Sequence, residues 1–192
     1  MEHILDLDKQ TDGLHSIFRK IKDSNTILFL GAGASVGEKR YLSREVIEYY
    51  EAKMLKKINE PNITKFVDIL SSNTDFNRVD FDKFVVTMLQ KYEVTDGHRI
   101  MATLPWREII TTNYDLVVEK AYDEIGKTAQ RLYDLKPIRN LKQLNYRESN
   151  SEIKYIKLNG CISDFGQYPL VFSSDDFDKQ KPLYKNVLNE LK

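Results

Sequence analysis

Thr26-Ile-Leu-Phe-Leu-Gly-Ala-Gly-Ala-Ser35 is an apolar run that breaks abruptly into small residues, the pattern of a buried strand delivering its backbone to a phosphate group. Gly31 and Gly33 lack a Cβ, so the chain there is free to turn tightly and bring main-chain N–H groups close to a pyrophosphate, with the positive end of a nearby helix dipole adding to the attraction. A dinucleotide fingerprint would require a third glycine at position 36, where Val36 stands, and Glu48 and Glu51 fall in a helical stretch rather than at the end of a second strand. A lone Gly-x-Gly therefore leaves two readings open, a tight structural turn and a phosphate cradle.

Outward from this loop, the chain alternates strand and helix signals. Leu14, Ile17, Phe18 and Ile21 lie at helical spacing and predict an amphipathic helix over 11–23. After the loop, Leu42 to Ile58 reads as helix up to Pro61, and the stripe Phe81, Phe84, Val85, Met88 and Leu89 extends a helical insertion over about 42–104. Arg107 to Thr112 is a short β-prone run, and Asn113-Tyr-Asp115 supplies a turn and cap before Leu116, Val117, Ala121 and Ile125 resume helical periodicity. Further strands are expected at Gln130–Tyr133, Glu152–Leu158 and Leu170–Phe172, a polar loop over 136–151, and a last helix from about Asp175. The outcome is an α/β fold with a mostly parallel sheet covered on both faces, read as a single domain over 1–192, with ligands at the C-terminal ends of the strands.

Three such ends carry small polar clusters: Gly31-Ala-Gly-Ala-Ser35, Thr112-Asn-Tyr-Asp115 and Asn159-Gly-Cys161. Asn113 can offer an uncharged amide to a ribose, a carboxamide or a water, or it can be a turn residue in a left-handed conformation. Asp115 reads first as the N-cap of the helix from Leu116 and second as a group in the chemistry. His3, His15 and His98 read as surface or cap residues, and Cys161, the single cysteine, as a small filler with no disulfide partner in its own chain and no zinc motif.

Composition narrows the function classes. Lys plus Arg and Asp plus Glu number 29 each, so no nucleic-acid partner is implied. No apolar stretch approaches the roughly 18 to 20 residues of a membrane span, and the first residues lack a basic segment ahead of an apolar one, so a cytoplasmic protein is expected.

The order and spacing of Gly31-Ala-Gly-Ala-Ser35, Leu104-Pro-Trp-Arg-Glu-Ile-Ile-Thr-Thr-Asn-Tyr-Asp115 and Lys157-Leu-Asn-Gly-Cys-Ile-Ser-Asp164 resemble the sirtuin-like domains of bacterial anti-phage defence proteins over residues 15 to 180. Val171-Phe-Ser-Ser-Asp-Asp-Phe177 is similar to the segment that follows the catalytic loop in those domains. The resemblance implies a Rossmann-like domain that binds NAD and cleaves its nicotinamide–ribose bond, with water as the acceptor and no metal. By that likeness Gly31, Ala32, Gly33, Ala34 and Ser35 hold the pyrophosphate, Thr112, Asn113 and Gly160 complete the NAD site, and Asn113 orders the nicotinamide ribose or the attacking water. A homo-oligomer or a regulatory protein partner is implied as well, with region 61–104 as the candidate contact surface.

The chain departs from the family at three places. Asn159 stands where the family has His, and an amide cannot take a proton near neutral pH as imidazole does. Two explanations stay open, an inactivating substitution and a domain that binds without turning over. Val36-Gly-Glu-Lys-Arg-Tyr41 replaces the family's Gly-x-Pro element, leaving Arg40 and Tyr41 to contact phosphate or base or to lie on a solvated helix start. A further strand that finishes the sheet in the family is missing, so an incomplete C-terminal edge is expected. The readings that follow are an NAD hydrolase with impaired turnover, a non-catalytic module sensing NAD or ADP-ribose, and a protein deacylase, disfavoured because the family's paired-cysteine zinc module is absent.

Overall fold

The computed structural model describes residues 16, 19–21, 26–35, 42–126, 134–138 and 152–190. Four strands, β1 (Ile27–Leu30), β2 (Glu108–Thr111), β3 (Asp134–Ile138) and β4 (Glu152–Lys157), form one sheet in the order β1-β2-β4-β3. Every pairing is parallel, with Ile27 opposite Glu108, Glu108 opposite Lys154, and Asp134 opposite Glu152. Besides the helical residues 16 and 19–21, six α-helices accompany them among the described residues: α1 (Leu42–Met54), α2 (Ile63–Ser71), α3 (Arg78–Leu89), α4 (Asp96–Ala102), α5 (Val117–Gly126) and α6 (Ser174–Glu190). The first four lie between β1 and β2 and are the expected insertion.

Side-chain alternation along the strands explains why the sheet is covered on both faces. Ile109 of β2 and Ile153 and Tyr155 of β4 point to one side, where they pack with Val118, Ala121, Tyr122 and Ile125 of α5. Ile110 and Ile156 point to the other and meet Leu183 and Val187 of α6. The two central strands are thus apolar on both faces, as a parallel sheet requires. The insertion builds its own core: Phe66, Val67 and Leu70 of α2 and Phe81, Val85 and Leu89 of α3 bury against Val46, Tyr50, Leu170 and Phe172. Asn62 caps α2 through the N–H of Lys65 at 3.1 Å, and Asn77 caps α3 through that of Val79 at 2.9 Å.

Several expectations are revised. The third described strand is Asp134–Ile138, running into the stretch read as polar loop from 136, whereas Gln130–Tyr133 lies outside the described residues. Pro137 hid it, yet β3 is at the edge of the sheet, where a missing backbone N–H costs no ladder partner. Leu170–Phe172 is not a strand; it is irregular chain whose apolar side chains serve the core of the insertion. The first helix of the insertion ends at Met54 rather than Ile58, with Leu55 and Asn59 at positive φ beyond it. Of the helix expected over 11–23, residues 16 and 19–21 are described and helical. Segment 36–41 is outside the described residues. Among those described, no helix is long and apolar enough to cross a membrane.

Candidate functional site

The parallel sheet brings the C-terminal ends of β1, β2 and β4 side by side. At the end of β2, the Thr111 hydroxyl donates to the Leu30 carbonyl at 3.0 Å and accepts the Asn113 N–H at 3.0 Å, which locks the turn to the neighbouring strand. The Asn113 side chain then crosses to the glycine loop, its Nδ2 donating to the Gly31 carbonyl at 2.9 Å and to Ser35 Oγ at 2.7 Å. Both side-chain donors are used within the protein, while Oδ1 accepts from no protein group among the described residues. Asn113 is not in a left-handed conformation, so the turn-residue reading falls.

Asp115 caps α5, accepting the Val117 N–H at 2.9 Å, in agreement with the structural reading; the helix begins at Val117, one residue later than expected. Its carbonyl accepts from Lys157 Nζ, and that fully buried ammonium also pairs with Glu119 Oε1 at 3.0 Å. Glu119 collects further contacts, from the Tyr155 hydroxyl at 3.2 Å and from Cys161 Sγ at 3.8 Å. The last residue of β4 is thereby fastened to the start of α5, directly beneath the strand ends.

Asn159 spends its amide on the fold. Nδ2 donates to the Thr112 carbonyl at 3.1 Å, and Oδ1 accepts from the Tyr184 hydroxyl of α6 at 2.8 Å. Burial, with Asp176 adding to it, pushes the Tyr184 phenol up to about 12, so the hydroxyl keeps its proton and donates. Gly160 follows at φ +91°, and a Cβ there would sit 3.2 Å from the Pro169 carbonyl oxygen. The positive φ and the close approach are a backbone reason for glycine here. Gly31 and Gly33 show no positive φ, and among the described residues no neighbour lies within 4 Å of a built Cβ. The loop does turn tightly, as a short 3-10 helix over Ala32–Ala34 in which the Ala34 N–H donates to the Gly31 carbonyl at 2.9 Å, so the structural turn and the phosphate cradle both remain compatible with it.

A cleft of about 190 Å³ lies over these ends, lined among others by Ala32, Ser35, Thr112, Asn113, Asp115 and Asn159. That is smaller than the roughly 300–1,000 Å³ of typical small-molecule pockets. Gly31, Gly33, Ala34 and Gly160 do not line it. A larger cavity of about 450 Å³ among α1, α2 and α3 contains none of the residues predicted for the site.

Four further contributors escaped sequence reasoning. His98 accepts the Thr95 N–H on Nδ1 at 3.0 Å as the cap of α4, and its Nε2–H donates to the Ala34 carbonyl at 2.6 Å, tying the glycine loop to the insertion. The Thr95–His98 spacing signals the cap; nothing in it signals a loop 64 residues away. Phe172 lines the cleft and stacks on Tyr114 at 4.6 Å between centroids. Arg78 holds that segment, donating to Asp82 at 2.9 Å, to Asp176 at 2.7 Å and to the Leu170 carbonyl. Burial works against the Asp176 carboxylate, but the N–H groups of Ser173 and Phe172 and the Arg78 guanidinium outweigh it and hold its pKa below the ordinary range. The fourth is Tyr92, which lines the cleft from the end of the insertion.

Residues 107–191, from β2 through α6, match the family model described as the SIR2-like domain. The chain's curated relatives include proteins named NAD(+) hydrolase ThsA. One, from Bacillus cereus (strain MSX-D12), is 24% identical over 163 residues, covering 84% of this chain and 33% of the relative. Another, from Enterococcus faecium, is 26% identical over 161 residues, covering 83% and 32%. A third, from Acinetobacter baumannii (strain 532279), is 27% identical over 119 residues, covering 61% and 24%. The chain spans about a third of the length of the first two relatives.

Proposed function

We propose that this chain binds NAD in the cleft over the strand ends, with the pyrophosphate on the Gly31–Ser35 loop and the nicotinamide ribose beside Asn113. In its unsubstituted form the domain hydrolyses NAD to nicotinamide and ADP-ribose, and by its likeness to sirtuin-like defence domains the consequence is NAD depletion of a phage-infected cell. The observation that carries this reading is the Asn113 amide, fixed by its nitrogen to Gly31 and Ser35 and with no protein donor to its oxygen among the described residues, at the cleft over the strand ends. As neutral nicotinamide departs, positive charge develops on the ribose, and a fixed, uncharged acceptor can orient a ribose hydroxyl or the incoming water without being protonated itself. The names of the relatives support the choice of ligand.

Asn159 favours a second outcome, in which the chain binds NAD or ADP-ribose with weak or absent turnover. Its two amide atoms are engaged by Thr112 and Tyr184, and it has no basic atom to take a proton from water. Assembly into a homo-oligomer, or with a regulatory protein, would be the setting in which such a module acts.

Incubation with NAD, following nicotinamide and ADP-ribose, tests both readings. Asn159→His is expected to raise the rate by about 10²- to 10⁴-fold, the ordinary contribution of a general base. Adding Asn113→Ala to that variant is expected to abolish the gain. An Asn159→His protein that binds NAD yet releases no nicotinamide leaves the sensing module as the correct reading, and a wild-type chain that binds neither NAD nor ADP-ribose eliminates both.

A further inference from the structure

Tyr92 ends the turn after α3 with its position set by backbone contacts: its N–H donates to the Leu89 carbonyl at 3.1 Å, and its own carbonyl accepts from Lys120 Nζ of α5 at 2.9 Å. Its ring packs against the core of the insertion. The hydroxyl, in contrast, is buried and has no hydrogen-bond partner among the described residues, although the residue lines the same cleft as Ser35, Asn113 and Asp115. A buried hydroxyl without a partner costs about 1–3 kcal/mol, a cost that native proteins seldom carry without a role for the group. The cleft is where that partner can enter.

We infer that the Tyr92 hydroxyl is a specificity-determining contact that donates to the carboxamide oxygen of the nicotinamide half of the dinucleotide, an inference that rests on the NAD reading of the cleft. Two observations choose this half over the phosphates. Burial raises the phenol pKa, and the Glu45 and Asp115 carboxylates raise it further, so the group stays protonated and acts as a donor. Those same carboxylates would repel a phosphate oxygen near the phenol, whereas the nicotinamide ring of NAD carries a positive charge and its carboxamide oxygen is a neutral acceptor. Tyr92 lies in the insertion, outside the residues that match the SIR2-like model, so the contact would be a selectivity element added to the shared strand-end site.

Calorimetric titration of wild type and Tyr92→Phe with NAD and with ADP-ribose, which lacks nicotinamide, tests this on the full chain. The variant is expected to lose NAD affinity by about 3- to 10-fold, the worth of one neutral hydrogen bond, while binding ADP-ribose as before and melting at the same or a higher temperature. Unchanged NAD affinity in the variant overturns the inference and leaves the NAD reading standing. An equal loss for both ligands, or a lowered melting temperature with weakened binding of each, overturns it in favour of a general packing role. A wild-type chain that binds neither ligand overturns the NAD reading, and the inference with it.

Discussion

The ends of β2 and β4 lie next to each other and each carries an asparagine, yet the two amides are used in opposite ways. Asn113 commits its nitrogen to the glycine loop, and its oxygen accepts from no protein group among the described residues. Asn159 commits both atoms, one to β2 and one to α6. Around Asn159, Lys157 is bound to Asp115 and Glu119 and Gly160 is pressed against Pro169, so the β4 end is a strut. The difference teaches that adjacency to a cleft does not make a polar residue a ligand contact. What counts is unspent hydrogen-bonding capacity, and at these two ends it resides on β2.

The comparison predicts that β4-end variants lose stability ahead of ligand affinity. Lys157→Ala has the largest expected effect: it takes the ammonium from Glu119 and a donor from the Asp115 carbonyl inside the protein. Breaking a buried pair from one side costs about 3–5 kcal/mol, and the lower end applies because the Glu119 side chain keeps 20% of its exposure. Denaturant unfolding measures it; a loss under about 1 kcal/mol would mean that the strut is dispensable. Gly160→Ala comes next, at about 1–3 kcal/mol, because alanine must adopt φ near +91° and meet the Pro169 carbonyl. An alanine there that leaves stability intact while weakening NAD binding would reverse the assignment and return Gly160 to the ligand site.

How much of this was legible beforehand follows the range of the interactions. The β1 loop, the strand at 108–111, the helix after Asp115 and the strand at 152–157 were readable because each rests on local periodicity and on cap residues within a few positions. Asn113 and Asn159 were identifiable as strand-end amides, but not that one would be open and the other closed. That depends on Tyr184, 25 residues beyond Asn159, and on Ser35, 78 residues before Asn113. Tyr92 was invisible for a related reason: an orphaned hydroxyl is defined by what fails to surround it, and no spacing records that. Strand β3 was missed because proline argues against a strand except at an edge, and edges are set by sheet order, not by composition.

The smallest effect, and the sharpest on the comparison, is expected from Tyr184→Phe. It removes the single hydrogen bond that closes Asn159 Oδ1, at a cost of about 1 kcal/mol, or a melting temperature lower by about 2–4 °C in a chain of this size. The phenol has a folded pKa of about 12 against an ordinary value near 10, so its contribution is complete below pH 10 and is lost as the pH rises toward 12. The stability gap between wild type and variant should therefore be constant from pH 7 to 9 and narrow above pH 10. NAD affinity should change less than twofold, because opening the oxygen of Asn159 takes nothing from the β2 end. If Tyr184→Phe weakens NAD binding as strongly as Asn113→Ala does, the β4 amide is part of the ligand site after all, and the division between an open end and a closed one does not hold.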